Sequence, residues 1–127
     1  KTPKGAFTFK FLLYRKDKLP NIKCLLKKKA IKKNMGWCDD PRSKHYNKEI
    51  KIDKRIRHEK LFRNDNIYDY FIVINYNTKK IIPYKGSAIF LHLTNNYKPT
   101  NGCVAIKRND FEVLLKLINK KTKIKIT

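Results

Sequence analysis

Apolar side chains fall at every second position near the start of the chain, with Phe7, Phe9, Phe11 and Leu13 set against Thr8, Lys10 and Leu12. A repeat of two places successive side chains on opposite faces, so Thr8–Tyr14 predicts a half-buried strand. Pro3 and Gly5 mark the turn before it. Residues 68–76 carry the strongest strand pattern, with Tyr70, Ile72, Ile74 and Tyr76 on one face and Phe71 and Val73 on the other. A strand apolar on both faces belongs in the middle of a sheet covered from both sides. Residues 87–93 read the same way, with Ile89, Leu91 and Leu93 opposed to Ala88, Phe90 and His92. Val104 and Ile106 resume the alternation after a polar stretch. Shorter signals place a strand at Asn21–Leu26, another around Ile81–Ile82 after a turn at Asn77-Thr78, and an exposed edge strand at Lys123–Thr127. The Lys27–Lys33 run reads as a solvated edge or loop, and Gly36–Asn47 as a long ordered loop.

One helix is signalled, at about residues 110–119. Phe111, Leu114, Leu115 and Ile118 recur at helical spacing and form one apolar face. Asn109 stands where an N-cap belongs, with Glu112 three residues on, the arrangement of a capping box. Many strands and a single helix predict a mainly β or α+β domain. No internal repeat or Gly/Ser-rich linker divides it.

Composition narrows the functional classes. The chain has 127 residues, with 32 Lys and Arg against 10 Asp and Glu, for a net charge of +22. Its hydrophobic content of 41% is too high for a disordered basic tail. No apolar stretch approaches the ~18 residues of a membrane helix. Only six of the basic residues are Arg, the side chain whose planar fork fits phosphate, and the excess runs along the whole chain. Lys, Ile and Asn share A/T-rich codons, so codon bias explains the charge without a nucleic-acid partner, and none is expected. Three Cys, at 24, 38 and 103, form no zinc-site spacing with the three His, so no metal is expected.

One pair of residues has chemical potential. His92 ends an apolar strand, and Gly102-Cys103 opens the next. Strands joined by a short connection are commonly neighbours. A Cys–His pair is the minimum for nucleophilic acyl transfer, in which imidazole takes the thiol proton and the thiolate attacks a carbonyl. Gly102 before the thiol permits close approach of a substrate and exposes backbone N–H groups able to bind an oxyanion. On spacing alone, a small core cysteine and a hydrogen-bonded core histidine satisfy the same pattern.

The surrounding words add to this. Thr2-Pro3-Lys4-Gly5-Ala6-Phe7, Gly86-Ser87-Ala88-Ile89-Phe90-Leu91-His92 and Thr100-Asn101-Gly102-Cys103-Val104 follow in order along the chain. Between them stand Trp37-Cys38-Asp39-Asp40-Pro41, Tyr46-Asn47, Tyr68-Asp69 and Asn75-Tyr76-Asn77. In these segments the sequence resembles the YkuD-type L,D-transpeptidase catalytic domain over essentially its whole length. The resemblance implies a mixed β-sheet sandwich with one helix near the C-terminal end. It also implies a single catalytic domain over 1–127 that lacks the family's N-terminal strands. Cys103 would be the nucleophile and His92 its base, with Gly102 and Cys103 N–H groups at the oxyanion. The implied partner is a peptidoglycan stem peptide, processed without a cofactor in the bacterial cell envelope, the periplasm by expectation.

The chain departs from the family's usual word, [S/T]-H-G-C-hydrophobic-[N/R]. Asn101 replaces the His, Ala105 replaces the final Asn or Arg, and only seven residues separate His92 from Thr100. Two readings therefore stand: a cysteine acyl-transfer enzyme, or a catalytically weak cell-wall-binding domain of the same fold. A basic nucleic-acid-binding module rests on charge alone. Thr100, Asn101, Trp37, Tyr46 and Arg63 are the candidate substrate contacts. Asp39 and Asp40 read as turn acceptors, Cys38 as structural, and His45 and His58 as solvated.

Overall fold

A computed structural model of the chain describes residues 2–94 and 102–127. Its centre is β1 (Gly5–Tyr14), a strand long enough to serve several partners. The first four residues of β1 pair antiparallel with β9 (Lys123–Ile126), and its last three pair parallel with β2 (Lys28–Ala30). From Phe9 to Tyr14 it also pairs antiparallel with β6 (Tyr70–Ile74). Next come β7 (Phe90–Leu93), antiparallel to β6, and β8 (Val104–Ile106), parallel to β7. A second sheet has β3 (Met35–Cys38) between β4 (Glu49–Lys51) and β5 (His58–Lys60).

The main sheet is covered on both faces, as the β6 pattern predicts. Tyr70, Ile72, Ile74, Ile89, Leu91 and Leu93 pack beneath α1 (Arg108–Leu117), which contributes Phe111 and Leu115. Phe71, Val73 and Phe90 point the other way, into Met35, Trp37 and Leu61 of the small-sheet layer. The result is helix, large sheet and small sheet in three layers, the mixed β architecture expected from the sequence. Among the described residues no helix is long and apolar enough to cross a membrane.

Several boundaries differ from the sequence expectations. The alternation of β1 breaks at a bulge between Phe9 and Phe11, so Phe9 and Leu12 face the helix while Phe11 and Leu13 face the small sheet. Asn21–Leu26 is not a strand. The open edge of β1 instead recruits the Lys run, through Leu12 N–H to the Lys27 carbonyl and Ile31 N–H to the Tyr14 carbonyl, each 2.8 Å. Backbone pairing there overrides side-chain pattern, and Lys28–Ala30 becomes β2. The stretch read as a loop from Gly36 contains most of β3, whose four residues are all buried and leave no alternation to detect. The strand expected from Ser87 starts at Phe90, because Ala88 takes a left-handed backbone, φ 57°. The helix begins at Arg108 with Lys107 as N-cap and no side-chain cap, so Asn109 lies within the first turn. The Phe111 N–H closes that turn on the Lys107 carbonyl, and the Arg108–Asp69 ion pair at 2.7 Å ties the first helical residue to the sheet.

The amide of Asn47 ties the small sheet to the large one. It is buried, with φ 57°, in a conformation asparagine tolerates better than most residues. Its oxygen accepts the Trp37 indole N–H and the Ala88 backbone N–H, both at 3.0 Å. Its nitrogen donates to the carbonyls of Tyr76 and Asn77 at 3.3 and 2.6 Å. Four bonds from one side chain thus join β3 to the segments flanking β6 and β7. Asn47→Ala strands two buried N–H donors and is expected to cost about 2–4 kcal/mol. Urea unfolding measures this, and a loss under 1 kcal/mol would show that the tie is redundant.

Candidate active site

The parallel pairing of β7 with β8 puts His92 level with Ala105. Cys103, two residues before Ala105, therefore falls on the same face of the sheet as His92. Both side chains line a cleft of about 660 Å³, bounded also by Glu59 of β5, Arg57, the Arg63–Tyr68 loop and residues 84–89. The adjacency expected from the short connection is present.

The histidine is held in a defined state. Its Nδ1 lies 2.8 Å from the Leu93 carbonyl, and a carbonyl only accepts, so the proton sits on Nδ1 and the lone pair on Nε2. That tautomer is the one a base needs. The ring packs edge-on to Tyr68, centroids 5.7 Å apart. Burial lowers its pKa, an effect the Leu93 bond partly offsets, so the neutral imidazole predominates at neutral pH.

The thiol is less ready. Cys103 Sγ donates to the Ala88 carbonyl at 3.0 Å. Burial pushes its pKa up to about 11, opposed by the Phe90 N–H and reinforced by the negative charge of Glu59. Ala88 is positioned by the Asn47 amide, and the segment before it is fixed from three further directions. Gly86 N–H bonds the Tyr46 hydroxyl at 3.1 Å, the Ser87 hydroxyl bonds the Cys38 carbonyl at 2.9 Å, and the Tyr76 hydroxyl bonds the Lys85 carbonyl at 3.1 Å. A left-handed alanine costs on the order of 1 kcal/mol or more, and these bonds hold it. Gly102 is buried with φ 92°, a backbone conformation that suits glycine beside Cys103.

The remaining candidates divide. Tyr46 lines the cleft but is buried, with its hydroxyl engaged on Gly86. Arg63 also lines it, yet its guanidinium is bound by Asp65 and lies 5.3 Å from the Tyr68 ring centroid. Trp37 does not reach the cleft. Only 2% exposed, it packs edge-on to Phe90 and spends its N–H on Asn47, because its strand runs through the core. Thr100 and Asn101 lie outside the described residues. Asp40 accepts the Arg42 N–H as a turn residue, while Asp39 pairs with Arg57 at the cleft rim. Cys38 is fully buried, whereas His45 and His58 are half-buried rather than solvated.

Sequence reasoning missed Glu59 and the wall formed by Tyr68. Tyr68 donates its hydroxyl to the Glu59 carboxylate, and burial drives the phenol pKa far above its ordinary range. The only sequence signal for Glu59 is an acid within a strongly basic stretch. Among the described residues, no three His, Cys, Asp or Glu are grouped to hold a metal ion.

With a thiol pKa near 11, iodoacetamide labelling of Cys103 is expected to quicken about tenfold per pH unit between pH 7 and 9. Peptide mass spectrometry reads the rate. A plateau by pH 8 would instead reveal a thiolate stabilised by protonated His92.

No curated protein and no solved structure matches the sequence. The profile of one family does, described as the L,D-transpeptidase catalytic domain and matching residues 1–126. With nearly every residue inside that match, the chain belongs to the L,D-transpeptidase catalytic domain family, YkuD.

Proposed function

We propose that the protein is a cysteine-dependent L,D-transpeptidase acting on peptidoglycan stem peptides in the bacterial envelope. The observation that carries the reading is the cleft shared by Cys103 and His92, with the imidazole fixed as the Nδ1–H tautomer. His92 Nε2 takes the thiol proton, and Cys103 Sγ attacks the carbonyl on the L-centre of the third stem residue. The oxyanion is received by the backbone N–H groups of Gly102 and Cys103. Collapse of the tetrahedral adduct breaks the amide C–N bond, and His92 returns its proton to the departing D-alanine nitrogen. The thioester then passes to an amine, forming a cross-link, or to water, completing a carboxypeptidation. In both cases His92 accepts a proton from the attacking group.

A second reading is favoured by one observation. The resting thiol is buried, bonded to a carbonyl and near a negative charge, all of which oppose ionisation. A domain that binds cell-wall peptides with little turnover keeps this arrangement at no loss.

Incubation with a tetrapeptide stem donor or a carbapenem is expected to add the acyl mass to the intact protein, and Cys103→Ala should abolish the increment. His92→Gln should slow acylation by about 10²–10⁴-fold. Wild-type protein whose mass stays unchanged under these conditions would sink the enzymatic reading in favour of the binding one.

A further inference from the structure

The ten acidic residues of this chain are surrounded by 32 Lys and Arg, and most are neutralised. Asp17, Asp39, Asp40, Glu49, Asp53, Asp65 and Asp69 each form an ion pair with a Lys or Arg. Glu59 does not form one among the described residues. Its hydrogen-bond partner is the neutral Tyr68 hydroxyl. Among the described residues it is the one acid lining the cleft of Cys103 and His92 with no Lys or Arg in ion-pair contact, the Arg63 guanidinium feeling its charge from beyond that range.

The placement has a cost for the reaction. The charge of Glu59 opposes ionisation of Cys103 and favours protonation of His92. A cation arriving at Glu59 would remove the first effect at the moment of binding. Among the described residues, the other charged groups lining the cleft are committed elsewhere. Arg57 is held by Asp39, Arg63 is held by Asp65, and Lys85 lies 5.6 Å from the Tyr76 ring centroid.

We propose that Glu59 is the receptor for a primary ammonium group on the substrate, and so a specificity-determining residue of this cleft. Tyr68 aims the carboxylate by donating to one of its oxygens, and β5 holds the residue through its pairing with Trp37. The ammonium neutralises the carboxylate in a partly dry cleft, where such a pair is worth more than on the open surface. The assignment rests on Cys103 and His92 being the reacting pair, and it adds the charge of the group they work beside.

The test uses charged thiol reagents, so it reads the cleft without requiring turnover. 2-Aminoethyl methanethiosulfonate carries an ammonium, and the 2-hydroxyethyl analogue is neutral. With each, the Cys103 thiolate attacks the sulfenyl sulfur, an S–S bond forms and methanesulfinate leaves. The measured quantity is the ratio of the two rates at Cys103, found by peptide mass and divided by the same ratio for free cysteine. Wild-type protein is expected to favour the ammonium reagent about tenfold. Glu59→Gln, which keeps an acceptor for Tyr68, should bring the preference to within about twofold. Glu112→Gln, on the exposed face of α1, should leave it at the wild-type value. A preference that survives Glu59→Gln, or falls equally in Glu112→Gln, overturns the assignment. Failure of the catalytic reading is seen separately, as the absence of acylation by a stem peptide.

Discussion

The side-chain amide of Asn47 is the constraint on which the rest of the site depends. It is the only type of neutral side chain, with glutamine, that both accepts and donates twice, and all four capacities are used in a dry interior. One bond fixes Trp37, in the central strand of the small-sheet layer, and a pair reaches the carbonyls of Tyr76 and Asn77. Another bond fixes Ala88, whose carbonyl meets the Cys103 thiol. Displacing this amide therefore disturbs the packing of the two sheets and the seat of the Cys103 thiol together. Buried networks of this kind are strong only when complete, because each orphaned N–H carries its full desolvation cost.

The same close packing extends to His92 and Cys103. His92 shares a face with Phe90 and rests against Tyr68, while Cys103 joins the apolar cluster around Phe71, Val73 and Phe90. Core packing orders both side chains without a dedicated carboxylate to orient the imidazole. The Leu93 carbonyl does that instead. The same packing raises the thiol pKa and lowers that of the imidazole, so both groups rest neutral. Proton transfer between them would create two charges in a low-dielectric cleft, which is costly unless fixed dipoles and a bound substrate replace water there. Ala105 stands level with His92 across the β7–β8 ladder, at the position where the family's usual word carries Asn or Arg. The chain thus sets a methyl group beside His92 at that position.

What the sequence disclosed follows physical lines. β6 and the apolar half of β7 were legible because a strand buried on both faces must be apolar at every position. The helix face was legible from its spacing, and the pairing of β7 with β8 from the shortness of their connection. The losses also have causes. A bulge shifts the phase of β1 without a glycine to announce it. β2 forms from lysines because a backbone edge needs no particular side chain. β3 is fully buried yet only four residues long, too short to distinguish from a loop rich in Gly, Trp and Cys. Ala88 breaks its strand with a residue that gives no warning, since the cause is an amide 41 positions away in sequence. Glu59 was invisible for a similar reason. Its meaning comes from the cleft around it and from the absence of an ion-pair partner among the described residues.

The charge of the chain looks different once partners are assigned. Each of its six Arg is ion-paired to an Asp: Arg15, Arg42, Arg55 and Arg63 to one two residues away, Arg57 to Asp39, and Arg108 to Asp69. The guanidinium forks that would grip phosphate are committed to shaping turns and joining elements, and the surplus of +22 belongs to lysines. Lysines spread along a surface make a diffuse field that draws anionic polymers nearer without fixing their register. Selectivity must then come from the few groups whose charge runs against the field at close range. In the cleft of Cys103 that group is Glu59. On the proposed reading, an anionic polymer that also carries an ammonium would meet the surface and the cleft by opposite charges, which would orient it in the cleft.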